Sequence, residues 1–362
     1  MTDESYIKLA IELAKKGIGK VSPNPLVGCV IIKDERIIGA GYHEKFGGNH
    51  AEVNAINSAR ENVEGATLYI NLEPCSHQGK TPPCVDKIIE RKFKRVVIGT
   101  LDMNPMISGG GVKKLKSAGL EVKVGLLEKE CVELNKFFFK YITKKIPYVT
   151  LKAAQTLDGK IADASGNSKW ISSASSRRLV HSLRAKYDAV LIGAGTVYAD
   201  DPSLTVRLTE GRNPKRVILD SNLEIATDYK IFTGNSDKNL IIVTSKKSIS
   251  KKRRIHKINS LGAKVLFARE NENGRINLKS ALVELAKNQI ASVLVEGGSE
   301  IYTSFLRENL FDNIVLFISP KILGPGLPFV NAFGKGTLKK ALKVKFVNVE
   351  TIDEDLLVEI TK

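Results

Sequence analysis

The chain has 362 residues, of which 43% are hydrophobic, and its 56 Lys and Arg against 39 Asp and Glu give a formal charge of +17. This is globular composition that excludes a disordered or fibrous protein, and at roughly 100–200 residues per domain the length suits two domains, each able to bury a core. No apolar run approaches the roughly 18 residues of a membrane span, and the opening MTDESYIKLAIELAKK has acidic residues first and no cleavable apolar segment, so a cytoplasmic protein that meets no membrane is expected.

In chain order, residues 5–17 carry Ile7, Leu9, Ala10, Ile11, Leu13 and Ala14 at helical spacing. Strands are expected at 27–32 and 66–70, with a helix from His50 to about Arg60 between them. A helix follows Pro82-Pro83, since Pro suits a first helical turn. Then come a strand at 95–100, a helix after Gly109-Gly110-Gly111, a strand at 120–125 and one helix over 127–140. Such alternation predicts an α/β sandwich with helices on both faces of one sheet. Near Lys144-Lys145-Ile146-Pro147 the helical pattern gives way to a strand at 148–154, which sets a boundary between domains 1–146 and 147–362.

The second half alternates again, with strands at 189–193, 215–220, 239–244 and 263–268, a helix near 278–288, a strand at 292–296, a helix from about 298 to 308 and a strand at 311–319. Two late β-like runs, 343–350 and 356–360, have no helix between them. They predict an antiparallel hairpin appended to a mostly parallel sheet.

The positive charge invites a nucleic-acid reading, but it is spread along the chain. Residues 1–146 hold 23 basic and 17 acidic residues, the remainder 33 and 22, and the one dense run is Lys251-Lys252-Arg253-Arg254. Lys supplies 41 of the 56 basic residues, whereas groove and phosphate recognition lean on Arg. A solvated Lys-rich surface is expected, with no nucleic-acid partner; anionic small substrates fit the charge equally well.

Four cysteines are too few for a disulfide scaffold in a chain this long. Two of them join a constellation: His50-Ala51-Glu52, then Pro74-Cys75-Ser76-His77-Gln78-Gly79-Lys80-Thr81-Pro82-Pro83-Cys84. One His and two Cys suit zinc, and three protein ligands leave a position for a water that zinc acidifies to a pKa of about 7. Glu52, in a first helical turn, would take that water's proton without binding the metal, and Cys84 at a helix start is favoured as thiolate. A fourth protein ligand such as His77 would instead close a structural site. Cys29 and Cys131, without metal-ligand neighbours, read as buried small apolar residues.

The zinc-deaminase signature is H-x-E with P-C-x-x-C, but here eight residues separate the cysteines. With Asn24-Pro25-Leu26-Val27-Gly28 and GYHEKFGGNHAE upstream, this longer CSHQGKTPPC loop resembles the deaminase half of the bifunctional pyrimidine deaminase/reductase family of riboflavin biosynthesis. The resemblance implies a cytidine-deaminase-like α/β/α sandwich in which Glu52 is catalytic, His50, Cys75 and Cys84 hold one zinc, and Asn24, His43, His77, Lys80 and Asn104 meet the substrate. Where the family shows D-P-N-P, this chain has Asp102-Met103-Asn104-Pro105.

No G-x-G-x-x-G fingerprint follows a strand in the second half; Gly193-Ala194-Gly195-Thr196-Val197-Tyr198 and Gly297-Gly298-Ser299-Glu300-Ile301-Tyr302 both fail at the third glycine. Even so, Lys152 through Lys160, Ser168-Lys169-Trp170-Ile171-Ser172, His181-Ser182-Leu183-Arg184, Gly193 through Arg207 and Glu296-Gly297-Gly298 resemble the reductase half of the same family. That resemblance implies a dihydrofolate-reductase-like α/β domain using NADPH. It assigns Ala154, Trp170, Thr196, Asp200, Gly298 and Ser299 to the cofactor, and Lys152, Ser168, Arg184, Leu204, Arg207 and Glu296 to the phosphorylated substrate. Two arginines can clamp a phosphate bidentately.

The expectation is therefore a two-domain enzyme, a homo-oligomer, that deaminates a phosphorylated diaminopyrimidinone with zinc and then reduces its ribosyl group to ribityl with NADPH. Two other readings remain open on the residues alone. A deaminase of nucleic-acid bases would show strongly salt-dependent binding, and a non-catalytic protein with a structural zinc would unfold without its metal.

Overall fold

In the computed structural model, which describes residues 1–77, 82–105, 107–334 and 336–362, strand β1 (Gly28–Lys33) buries both its faces. Cys29 and Ile31 point into one apolar cluster, Val30 and Ile32 into another, as period-2 side-chain alternation requires when helices cover a sheet on both sides. The first cluster takes in the helices Ala51–Asn57, Cys84–Glu90 and Gly110–Ser117; the second takes in Asp3–Lys15 and Glu128–Leu134. With β2 (Arg36–Tyr42), β3 (Thr67–Leu72), β4 (Arg95–Thr100) and β5 (Glu121–Val124), the sheet runs β2-β1-β3-β4-β5. β1 is antiparallel to β2 and β3, and β3, β4 and β5 are parallel.

Strand β2 was not expected from the sequence, because glycines weaken a strand pattern. Packing explains them. A Cβ at Gly39 would come within 2.5 Å of the Ala55 carbonyl, and one at Gly41 within 2.4 Å of the Ala55 nitrogen. Only glycine lets the helix Ala51–Asn57 lie this close to the strand. The single helix expected over 127–140 is two helices, Glu128–Leu134 and Lys136–Lys144. The break falls at Asn135, whose side chain is committed elsewhere: Oδ1 accepts from the Leu26 N–H at 2.8 Å and Nδ2 donates to the Leu26 carbonyl at 3.0 Å. Cys131 and Cys29 are both fully buried.

By its internal contacts the chain divides into two units, Met1–Lys145 and Ile146–Lys362. The second is built on β6 (Tyr148–Thr156), β7 (Lys160–Asp163), β8 (Ala189–Gly193), β9 (Lys215–Leu219), β10 (Leu240–Ser245), β11 (Lys264–Ala268), β12 (Ser292–Val295), β13 (Asn313–Ser319), β14 (Gly326–Pro328), β15 (Lys345–Ile352) and β16 (Asp355–Thr361). Nine of these form one sheet in the order β11-β10-β9-β8-β12-β6-β13-β16-β15, while β14 pairs with β7. All neighbours from β11 to β13 are parallel, and the expected hairpin of β15 and β16 closes the far edge antiparallel.

The helix Ala174–Lys186 went unread in the sequence, since ASSRRLVHSLRAK is too polar for a clear apolar stripe. Its start is fixed by polar contacts: Ser173 caps the Ser176 N–H, and the buried Asp355 accepts from the Ser173 N–H at 2.8 Å and the Ser176 hydroxyl at 2.5 Å. The dense basic run opens another unexpected helix, Lys252–Ser260. Among the described residues no helix is long and apolar enough to cross a membrane.

Candidate metal centre and cofactor cavity

In the first unit, two helix starts and one loop converge. His50 caps the helix Ala51–Asn57 with an extended backbone, Cys84 is the first residue of the helix Cys84–Glu90, and Cys75 lies in the loop after β3. The His50 Nδ1 is 3.2 Å from the Cys84 sulfur and 3.6 Å from the Cys75 sulfur, and the three ligand atoms lie within 4.8 Å of one another. Tetrahedral zinc with Zn–S of about 2.3 Å and Zn–N of about 2.0 Å needs N–S separations of about 3.5 Å. The donor set fits zinc in both chemistry and spacing.

Glu52, 3% exposed, sits beside these ligands. Burial, with the adjacent Cys75 sulfur, pushes its carboxyl up to about 7. Of the thiols, Cys75 ionises first, because the Cys84 thiol, His50 and the Cys84 backbone N–H (3.3 Å) all favour its anionic sulfur. The same contact, with burial, pushes Cys84 up.

His43 and Asn24 extend the site. The His43 Nδ1–H donates to the Asn49 carbonyl at 2.8 Å, which leaves Nε2 to accept from the Asn24 amide at 3.1 Å. Burial lowers the His43 pKa, and its ring stands edge-on to His50 with centroids 5.6 Å apart. His77 is exposed, and Lys80 lies outside the described residues. Asn104 is on the loop after β4. There the Asp102 carboxylate accepts from the Asn104 N–H at 2.7 Å, and the buried Glu73 accepts from the N–H groups of Asp102, Gly109 and Val112 at 3.0–3.1 Å. These bonds hold the loop at the point where Met103 replaces a proline. Glu73 and Asp102 were not singled out from sequence, and no spacing signal marks them.

The second unit has a cavity of about 1200 Å³ at the carboxyl ends of β8, β9 and β12 and along β6. It is lined by all twelve residues expected there: Lys152, Ala154, Ser168, Trp170, Arg184, Thr196, Asp200, Leu204, Arg207, Glu296, Gly298 and Ser299. Ordinary ligand pockets run to about 300–1,000 Å³, so this one has room for a dinucleotide together with a second small molecule. The Gly297-Gly298 turn packs on Thr196, whose hydroxyl would lie 3.1 Å from a Cβ at Gly297. Gly298 has φ +79, which favours glycine. Ser299 then opens the helix Ser299–Arg307, and its buried hydroxyl has no partner among the described residues. An orphaned donor at a glycine turn and helix start is suited to a phosphate, so these residues fit NADPH.

Arg184 differs from expectation. It grips Glu296 through Nε (2.6 Å) and Nη2 (2.7 Å) and donates through Nη1 to the Thr205 carbonyl at 3.0 Å. Three of its five donors and its charge are thus committed within the protein, and a free two-arginine phosphate clamp is not what the site presents. Among the described residues Lys152 has no ion-pair partner of its own; burial lowers its pKa against the pull of Glu296, and its Nζ lies 5.7 Å from the Phe317 ring centre. Leu204 is buried with φ +53, strained for a branched side chain. Arg177 and His181, not proposed from sequence as site residues, also line the cavity.

Comparison with known proteins matches residues 147–358 to the family model of the RibD C-terminal domain and residues 1–100 to the zinc-binding region of cytidine and deoxycytidylate deaminases. The riboflavin biosynthesis protein RibD of Aquifex aeolicus is 49% identical over 358 residues, covering 98% of this chain and 97% of that one. Its counterpart from Bacillus amyloliquefaciens is 41% identical over 98% of this chain and 95% of its own. The crystal structure of a diaminohydroxyphosphoribosylaminopyrimidine deaminase/5-amino-6-(5-phosphoribosylamino)uracil reductase from Thermotoga maritima superposes with a TM-score of 0.86 at 46% identity, covering 99% of this chain and 98% of that one. The RibD of Acinetobacter baumannii gives 0.88 at 37%, with the same coverage.

Proposed function

The chain belongs to the RibD family of bifunctional riboflavin-biosynthesis deaminase/reductases, and from that premise we propose which of its residues do the work. It is an enzyme with a zinc-binding deaminase part and a reductase part that uses NADPH. The first half-reaction takes 2,5-diamino-6-ribosylamino-4(3H)-pyrimidinone 5′-phosphate to the corresponding uracil with loss of ammonia; the second reduces the ribosyl group to ribityl, giving 5-amino-6-ribitylamino-uracil 5′-phosphate.

The deaminase is assigned to residues 1–146 and the reductase to 147–362. His50, Cys75 and Cys84 would hold the zinc, which when bound supplies Lewis acidity to a water molecule. Glu52 is the proton carrier, moving a proton first to the ring nitrogen at the reacting carbon and then to departing ammonia. The observation that carries this assignment is a buried carboxyl group, 3% exposed, beside a three-ligand centre. Asn24 and His43 hold the pyrimidine edge, Asn104 reaches it from the loop fixed by Glu73, and His77 meets it from the segment after Cys75; Lys80 is assigned to the substrate from the sequence resemblance alone.

In the second half NADPH, when bound, supplies the hydride. Ala154, Trp170, Thr196, Asp200, Gly298 and Ser299 orient it, with Ser299 and the Gly298 turn on its phosphates. Lys152, Ser168, Leu204 and Arg207 hold the substrate, and Glu296 keeps Arg184 fixed against it. The test is ammonia release followed by NADPH oxidation at 340 nm on the phosphoribosylamino substrate with zinc-replete protein. Both signals are expected. Ammonia without NADPH consumption would overturn the second-half assignments.

The homo-oligomer reading is supported by β15, an edge strand that leaves Phe346, Val347 and Val349 in solvent, a surface usually covered or blunted. Sedimentation of the intact enzyme should show a dimer or larger, and Phe346→Glu should shift it toward monomer.

A further inference from the structure

One face of the helix Ala174–Lys186 looks into the reductase cavity: Arg177, Val180, His181 and Arg184 recur at spacings of three and four and all line it. Two of the three polar side chains are already engaged. Arg184 is paired with Glu296, and Arg177 donates to the Ser172 carbonyl at 2.5 Å with its guanidinium 4.4 Å from the Trp170 ring centre.

His181 is different. It is 6% exposed, and its Nδ1 accepts the backbone N–H of Arg207 at 2.9 Å. The proton of the neutral ring therefore sits on Nε2, and among the described residues nothing accepts it. The charged groups facing the ring are Lys152, Arg184, Arg207 and Glu296. Once Arg184 and Glu296 cancel, two positive charges remain, which is what a phosphate monoester carrying about −1.5 to −2 would neutralise. Charging the ring would add a third cation beside Lys152 and Arg207, so burial and the two arginines keep it neutral.

Resting on the reductase reading above, we propose that His181 is a specificity-determining residue of the reduction: its Nε2–H donates to a phosphate oxygen of the substrate while its Nδ1 fixes the backbone of Arg207, which meets the same phosphate. His181 touches no reacting atom in this role, so it governs affinity for the phosphorylated substrate and leaves hydride transfer to the groups already named.

The experiment uses the full-length, zinc-replete enzyme and follows NADPH oxidation on the deaminated substrate, with and without its 5′-phosphate. His181→Phe and His181→Ala should raise KM for the phosphorylated substrate about tenfold or more, the loss expected for one charge-assisted hydrogen bond. Changes in kcat should stay within a few-fold, and KM for NADPH should not move. His181→Gln, which can accept the Arg207 N–H at Oε1 and donate through Nε2, should recover most of the loss. With the dephosphorylated substrate, wild type and His181→Phe should converge. Ammonia release and melting temperature of each variant report folding. An unchanged KM in a folded His181→Phe protein, an equal rise for both substrates, or a loss confined to kcat would each overturn the proposal. Wild type that oxidises no NADPH would instead overturn the reductase reading beneath it.

Discussion

The two sites are built on opposite charge logic. The first unit gathers Glu52, Cys75 and Cys84 around His50, with Glu52 and Cys84 buried and His50 and Cys75 half-buried, and so prepares a place for a dication. The second cancels Arg184 against Glu296 and lines its cavity with the half-buried Lys152 and the exposed Arg207, neither in an ion pair among the described residues, and so prepares a place for an anion. In each case the donors that line the site give the sign of what binds: thiol, imidazole and carboxyl groups suit a cation, ammonium and guanidinium groups an anion. The sites also differ in how they are assembled. The metal centre draws on the first positions of two helices and one loop, within His50 to Cys84, whereas the cavity is drawn from several strand ends and a helix spread from Lys152 to Ser299.

The sharpest way to break this contrast is Glu52→Gln. Losing the proton carrier should cut ammonia release by about 10²–10⁴-fold, while metal analysis still finds one zinc per chain and NADPH oxidation on already deaminated substrate proceeds at the wild-type rate. Loss of zinc in that variant would make Glu52 a ligand. Chelation should separate the activities in the same way, abolishing ammonia release and sparing NADPH oxidation. Simultaneous loss of both would mean that the metal supports the whole fold.

The charge balance of the cavity is tested by Glu296→Gln. Arg184 is 12% and Glu296 6% exposed at the side chain, so the change leaves a buried guanidinium without its counter-ion. The expected cost is about 3–5 kcal/mol of stability, read by denaturant unfolding, together with loss of NADPH oxidation. A cost below about 1 kcal/mol would place the pair in the class of solvent-screened ion pairs.

This same division explains what the sequence disclosed. His50, Glu52, Cys75 and Cys84 are legible because their chemistry is tied to short spacings near helix starts, and the strand–helix alternation is legible because both faces of each sheet are apolar. Strand β2 was hidden by Gly39 and Gly41, whose reason is the approach of a helix distant in sequence. The helix Ala174–Lys186 was hidden because its signal is polar: it is held by Asp355, about 180 residues further on. Glu73 and His181 were missed for a related reason. Each acts on the backbone of another segment, Glu73 on Asp102, Gly109 and Val112 and His181 on Arg207, and backbone partners leave no trace in side-chain spacing. The pairing of Arg184 with Glu296 is likewise a fact of folding, since 112 residues separate them.

The smallest expected effect concerns acid stability. Burial and the nearby Arg184 and Arg207 lower the His181 pKa from 6.5 to about 4, opposed by Glu296 and reinforced by Lys152. Between those values the unfolded chain binds a proton at this residue that the native state refuses. Stability therefore falls as the pH drops through roughly 6.5 toward 4, and above about pH 7 neither state is charged and the contribution vanishes. His181→Gln removes the titrating group while keeping both hydrogen-bonding functions, so its melting temperature should fall less steeply than wild type between pH 7 and pH 5. Parallel curves would mean that the folded ring takes up its proton as readily as the unfolded one. In that case His181 becomes a cation in the cavity once the pH falls below about 6.5, and only there would the site present three positive charges to its ligand instead of two.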